Sequence, residues 1–273
     1  MKELSMFGCP VGFEENDSKL IALDESVSYE DTSRKYSGAM FGLLADDTYK
    51  VEDDPYYDFY KAICHKDDSK KFSDRELRFD STVILPGSAG DEYKKTAGHF
   101  HCKVPGSELS YPELYQVIKG TALFVMQKVD DEQKTDGKMV VEDCILAEVC
   151  AGETIVIPPC YGHCTVNISD ESMVFINLVS VNSINAYDSV KNSHGMCSYI
   201  LKTSGGGYRV EKNSHYEFRC EPKIVTTIGN ERLGIKKDLP AYTAYLGNPR
   251  GFDYLKAPAD YMDDFFAVLK AKS

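Results

Sequence analysis

Between residues 81 and 228 the apolar positions gather in short runs rich in β-branched and aromatic side chains, at 82–85, 114–119, 122–129, 140–149, 154–158, 173–181, 198–203 and 223–228. Gly120, Gly137, Gly152 and the triplet Gly205, Gly206 and Gly207 punctuate them. Short strands at close spacing with turn residues between them predict an all-β sandwich or barrel. The charged segment 130–138 is expected to be a solvated loop. Outside this block the pattern changes. Residues 1–80 mix strand-like and helix-like pieces, and Tyr57, Tyr60 and Ile63 fall on one side of a helix predicted over 56–65. The tail after Ile228 carries Pro240, Pro249 and Pro258, then an amphipathic stretch over 259–270 with Tyr261, Phe265, Val268 and Leu269 near helical spacing. The expected organisation is an N-terminal extension over 1–78 packed on a barrel of residues 79–228 that holds the site. A C-terminal extension over 229–273, ending in an amphipathic helix, completes it.

Three stretches of the barrel place polar residues at every second position. In Thr96-Ala-Gly98-His99-Phe-His101, strand alternation sends His99 and His101 to one side. Glu113 and Tyr115 share a face in the same way, and so do His163, Thr165 and Asn167. The opposite positions, Phe100, Cys102, Leu114, Ile118, Cys164, Val166 and Ile168, are mostly apolar. Those faces therefore also need cover, from the N-terminal segment or a second subunit. A sheet wet on one side would give the same alternation. Exposed stripes, however, carry Lys, Glu, Thr and Ser, whereas here three of the chain's six histidines and Glu113 fall on such positions. Three neutral imidazoles and one carboxylate suit Fe(II), Mn(II), Ni(II) or Zn(II) and do not choose among them. Cys160 and Cys164 flank His163 and offer a zinc–thiolate alternative.

The formal charge of -12 argues against nucleic acid or an anionic membrane as partner, and any anionic ligand must find local positive potential. The first 16 residues carry acidic and polar side chains where a signal peptide needs an apolar core, and no apolar run reaches the roughly 18 residues of a membrane span. Nine cysteines without a CxxC pair read as reduced thiols of a cytoplasmic protein. No P-loop and no GxGxxG is present.

Turn spacing adds to this. Six residues separate Glu113 from Gly120, five separate Gly152 from Pro158, and three separate His163 from Asn167. These spacings resemble the two motifs of the cupin superfamily, small jelly-roll barrels that hold a metal on three histidines and a glutamate. Two features depart from that pattern: the eleven-residue gap between His101 and Glu113, and Cys160, which stands where the second motif usually has glycine. The run His99-Phe-His101, then Tyr111-Pro-Glu113-Leu-Tyr115-Gln-Val-Ile-Lys-Gly120, then Met126-Gln127, is similar to the cupin-type glucose-6-phosphate isomerases of archaea and some bacteria. Glu92-Tyr-Lys-Lys-Thr96 upstream, and Val156-Ile-Pro-Pro159 with Gly162-His163-Cys-Thr165-Val-Asn167 downstream, resemble the same family. The likeness is specific over about 78–167 and weaker to 228.

The resemblance implies a metal, Fe2+ with Mn2+, Ni2+ or Zn2+ substituting, on His99, His101, Glu113 and His163. It implies Glu113 and Tyr115 as catalytic residues, and Thr96, Gly98, Tyr111, Gln127 and Tyr187 as contacts to a phosphorylated hexose. Tyr187 is preceded by Ile184-Asn185 where the family has Gly-His. The implied reaction is glucose-6-phosphate to fructose-6-phosphate interconversion in glycolysis or gluconeogenesis, by a homodimer. A cupin non-haem iron dioxygenase with the same ligands, and a non-catalytic sugar-binding barrel, are the alternatives.

Overall fold

The computed structural model describes residues 2–134 and 136–272. Two sheets lie face to face, antiparallel throughout except where Lys223–Thr227 and Glu217–Phe218 run parallel to Val140–Cys150. In one, the strand order is Thr154–Ile157, Glu113–Lys119, Met173–Ser180, Leu77–Ile84, Pro55–Lys61 and Asp31–Tyr36. In the other it is Gly162–Asn167, Thr121–Val129, Val140–Cys150, Lys223–Thr227 and Leu269–Ala271, with Glu217–Phe218 beside Val140–Cys150. The chain changes sheets at sharp corners: at Gly120, around Gly152, and between Asn167 and Met173. Gly120 shows why glycine stands there. Its φ is +79°, and a Cβ would lie 3.2 Å from the Met173 backbone, so both strain and space exclude a side chain. The molecule is the all-β jelly roll that the sequence predicts, and among the described residues no helix is long and apolar enough to cross a membrane.

Alternation divides each strand between two cores. Tyr115, Val117, Phe124, Met126, Ile155 and Phe175 point into the space between the sheets. The outer face of the first sheet, including Leu114, Ile176 and Leu178, is covered by Phe7, Phe13 and Phe72 from the N-terminal part and by Tyr242, Phe252 and Phe265 from the C-terminal part. The outer face of the second, including Leu123, Val125, Cys164 and Val166, packs on Met40, Leu43, Val190 and Met196. Each such side chain withdrawn from water contributes about 1.5–3 kcal/mol. The apolar backs of the ligand-bearing strands are therefore covered by the chain itself.

Three sequence expectations change. Residues 56–65 form no helix; they supply the strand Pro55–Lys61 and the short strand Cys64–His65. Tyr56, Asp58 and Tyr60 are buried while Tyr57, Phe59 and Lys61 are half-buried, a two-residue period. Pairing on both edges satisfies this aromatic-rich backbone, and that outweighs an accidental helical spacing. Its neighbour Asp31–Tyr36 is a polar edge strand, fastened by Arg34 to Asp58 at 2.7 and 2.8 Å. Residues 31–61 are thus part of the barrel wall rather than a layer packed on it. At the other end, the helix expected over 259–270 is only Met262–Ala267, after a 3-10 turn at Ala259–Tyr261. Phe265 and Val268 are buried as expected, but the Val268 carbonyl accepts from Ile228 N–H, and Leu269–Ala271 continues as a strand on Lys223–Thr227. The loop 130–138 is largely exposed, and Thr135 within it lies outside the described residues.

One close contact sets the position of the ligand strands. Phe100, between His99 and His101, lays its ring over Gly162, where a Cβ would fall 2.5–2.7 Å from ring atoms. Gly162→Ala must push that ring away. It is expected to lower stability by about 1–3 kcal/mol, read by chemical denaturation, and to weaken divalent-cation binding in the same sample.

Candidate metal centre

The four candidate ligands come from three stretches of the chain. His99 pairs with His163 in an isolated bridge, each backbone N–H donating to the other's carbonyl at 3.1 and 2.9 Å. His101 ends the short strand Phe100–His101, which pairs with Asn185–Ala186. Glu113 opens its strand, and His163 is the second residue of Gly162–Asn167. Their donor atoms all lie within 4.8 Å of one another, the one such cluster among the described residues. Nε2 of His99 is 3.1 Å from Nε2 of His101, and Oε2 of Glu113 is 3.3 Å from Nε2 of both His101 and His163.

Neighbouring groups orient these atoms. The Tyr111 carbonyl, which can only accept, takes a hydrogen bond from His101 Nδ1 at 2.8 Å, so the proton sits on Nδ1 and the Nε2 lone pair faces the cluster. Tyr115 donates its hydroxyl to Glu113 Oε2 at 2.8 Å and lies 2.9 Å from His163 Nε2. Asn177 Nδ2 donates to the other oxygen, Oε1, at 2.6 Å.

The electrostatics suit a cation. Burial, with the other two imidazoles, pushes His99 well below the usual histidine range. Burial lowers His163 as well, against the pull of Glu113. Burial alone would raise the Glu113 carboxyl, but its close polar contacts with His101 and His163 hold it well below the usual carboxylate range. Neutral imidazoles and an ionised carboxylate are the forms in which these groups bind a divalent ion. The four residues fit a divalent metal.

The zinc–thiolate alternative does not form. Cys164 alternates with His163 and so points into the outer core, and the Cys160 thiol meets the Glu108 carbonyl. Cys160 instead holds a left-handed backbone at φ +65°, the conformation that favours glycine at this position.

A cavity of about 390 Å³ opens beside the cluster, lined by Thr96, Gly98, His99, Glu113, Tyr115 and Tyr187 among others. Thr96 Oγ1 accepts from Thr165 N–H at 3.0 Å and keeps its own hydrogen to donate. Gly98 has φ +84°, and a Cβ there would meet Met196 Sδ at 2.7 Å. The Tyr187 ring stands 5.3 Å from that of His99.

Tyr111 and Gln127, expected at the substrate, stand outside the lining. Tyr111 acts through its carbonyl on His101. Gln127 points to the opposite face from Met126, the residue paired with His163, and its amide accepts from Cys197 N–H at 2.6 Å and donates to Tyr216 at 3.2 Å. Sequence reasoning missed Asp80 and Asn177 on the far wall and the cationic Lys35, Lys61 and Arg78, all of which line the cavity. A lone Asn within 173–181 and the pair Arg78-x-Asp80, both at strand spacing, were the available signals.

A jelly roll that gathers three histidines and a glutamate at the mouth of an internal cavity has the donor set of a metal-site barrel. The chain belongs to the glucose-6-phosphate isomerase family: the family model for glucose-6-phosphate isomerase (GPI) matches residues 33–219. It is 28% identical over 157 residues to a glucose-6-phosphate isomerase of Sinorhizobium medicae (strain WSM419), covering 58% of this chain and 66% of that one. It is 28% identical over 130 residues to the glucose-6-phosphate isomerase of Pyrococcus furiosus, covering 48% of this chain and 60% of the other. The chain thus spans about two thirds, or less, of the length of these relatives. Oxalate decarboxylase of Lactobacillus farciminis is similar at 21% identity over 48% of this chain and 30% of that one, with a TM-score of 0.32, a likeness too slight to add to the topology.

The cluster makes a prediction that needs no substrate. Equilibrium titration with Mn2+ is expected to show one tight site per chain. In His163→Ala, that site weakens by more than the roughly 10–100-fold that loss of an outer hydrogen-bond partner costs a metal site.

Proposed function

We propose that this protein interconverts glucose 6-phosphate and fructose 6-phosphate with a divalent cation, Fe2+ in its native state, held by His99, His101, Glu113 and His163. The observation that carries this reading is the four-donor cluster opening into a cavity of ligand size, roughly 300–1,000 Å³ for small-molecule sites, in a chain of this family. When bound, the cation supplies polarisation of the substrate oxygens at C1 and C2.

The protein's own groups do the rest. Glu113, ionised, takes the proton from C2 of the open-chain aldose, leaving a cis-enediolate, and returns it to C1 of the ketose. A proton must also pass from the oxygen on C2 to that on C1. Tyr115 is suited to carry it, because burial keeps its phenol neutral and its hydroxyl already bridges Glu113 and His163. Asn177 fixes the second carboxylate oxygen. The Thr96 hydroxyl, the Gly98 backbone and the Tyr187 hydroxyl receive the phosphate, and Lys35, Lys61 and Arg78 offset the chain's negative charge there. We further propose a cytoplasmic homodimer serving glycolysis or gluconeogenesis; the cysteines described are all free thiols, and light scattering measures the assembly.

The test is elemental analysis of the purified protein with a coupled isomerase assay after loading with iron, manganese or zinc. Oxygen uptake without fructose 6-phosphate formation would replace this reading with the dioxygenase one. Glu113→Gln is expected to lower kcat by about 10²–10⁴-fold, the usual contribution of a general base. In D2O the product should acquire solvent deuterium at the transferred position. Complete retention of substrate hydrogen would remove Glu113 from the proton path in favour of a direct hydride shift.

A further inference from the structure

The far wall of the cavity carries a polar row that the chemistry above uses only in part. Tyr115, Asn177 and Asp80 stand directly opposite one another on three neighbouring strands. All three line the cavity, and all three are buried. With strands about 4.8 Å apart, Asp80 lies roughly 10 Å along the row from Tyr115. Tyr115 and Asn177 both serve Glu113. Asp80 has no part in the proton path.

Yet the structure holds Asp80 with care. Its side chain is 1% exposed. Arg78 Nε lies 2.9 and 2.8 Å from its two oxygens, and Ala62 N–H donates to Oδ1 at 2.8 Å. A carboxylate offers roughly four lone-pair sites. One N–H from Ala62 and one shared from Arg78 leave acceptor capacity on the cavity side. Burying a charge there is costly, and an apolar residue of similar size would line the wall at lower cost. The arrangement makes sense as a fixed acceptor presented to a ligand.

We propose that Asp80 is a specificity-determining residue that accepts hydrogen bonds from a vicinal pair of hydroxyls in the middle of a polyhydroxylated phosphate ester. Arg78 acts as its positioning residue. The distance along the row assigns Asp80 to hydroxyls beyond the reacting carbons, so it reads configuration in the chain of the sugar rather than its carbonyl end. This rests on the sugar-phosphate reading of the cavity.

The test is equilibrium binding of glucitol 6-phosphate, a polyol phosphate that cannot isomerise, to the Mn2+-loaded protein by calorimetry. Asp80→Asn is expected to weaken it roughly 10–100-fold, the scale of hydrogen bonds to a charged group, while Mn2+ affinity stays within about fivefold of wild type. Asp80→Glu keeps the charge and displaces the oxygens; it should show the same selective loss, and it carries the test if the asparagine variant does not fold. Unchanged glucitol 6-phosphate affinity, a parallel loss of Mn2+ affinity, or no binding by the wild type would each overturn the proposal. Selective loss in a protein that shows no isomerase turnover would leave the hydroxyl site standing and remove only the assigned reaction.

Discussion

The structure depends on keeping one carboxylate ionised inside an apolar barrel. Glu113 is only 3% exposed, and a lone buried charge of that kind would cost several kcal/mol. The Tyr115 hydroxyl and the Asn177 amide answer it by donating to its two oxygens, with the His101 and His163 imidazoles packed at 3.3 Å. Removing one partner of such a set typically costs about 3–5 kcal/mol, because the charge then stays buried without compensation. The partners sit on different strands. Satisfying Glu113 therefore fixes strand register, and the need for register in turn explains the tight Phe100–Gly162 contact.

The same constraint accounts for the long terminal segments. Strands whose inner faces are given to polar chemistry contribute less to the central core. Their outer faces are nearly all apolar, and residues 2–28 and 229–272 supply much of the cover for one sheet. A buried ion pair anchors part of the cover on the other. Lys95, opposite Val166, binds Glu92 at 2.5 Å and donates to the Leu43 carbonyl at 2.9 Å, which ties the segment around Leu43 to the barrel beside the Thr96 turn. Stability is thus built outside the barrel as well as in the core between the sheets, so that the cavity end of the interior can carry polar groups.

Most of this was legible where the two-residue period was clean. The three polar stripes carrying His99, His101, Glu113 and His163 were legible because each strand also has an apolar reverse face, and the fold brings those four side chains together. The Gly120 and Gly152 corners read correctly because both need a left-handed backbone. Even Cys160, the departure from the glycine pattern, keeps that conformation. Legibility failed where tertiary pairing decides. Asp31–Tyr36 is too polar to announce a strand and becomes one only beside Pro55–Lys61. The family resemblance implied Gln127 as a substrate contact, but strand parity places Met126 against His163 and Gln127 behind it. Asn177 was hidden in the run 173–181, read as apolar, and Asp80 lies just ahead of the run 82–85.

The distribution of charge follows from the same geometry. A chain of net charge -12 needs a local reversal of sign to admit an anionic sugar. Its cations are not near one another in sequence, so no basic motif betrays them. Lys35, Lys61 and Arg78 come from the three strands at one end of the six-stranded sheet, and folding brings them to the cavity rim. Two of these strands belong to the N-terminal part, which the sequence alone treats as peripheral. The site is therefore shared between the barrel, which gathers the four candidate ligands, and the added wall, which supplies Lys35 and Lys61 to the cavity lining and the Ala62 N–H that Asp80 accepts. Cutting the chain before residue 78 would remove two strands from the sheet and open the cavity on that side, even though every candidate metal ligand would remain.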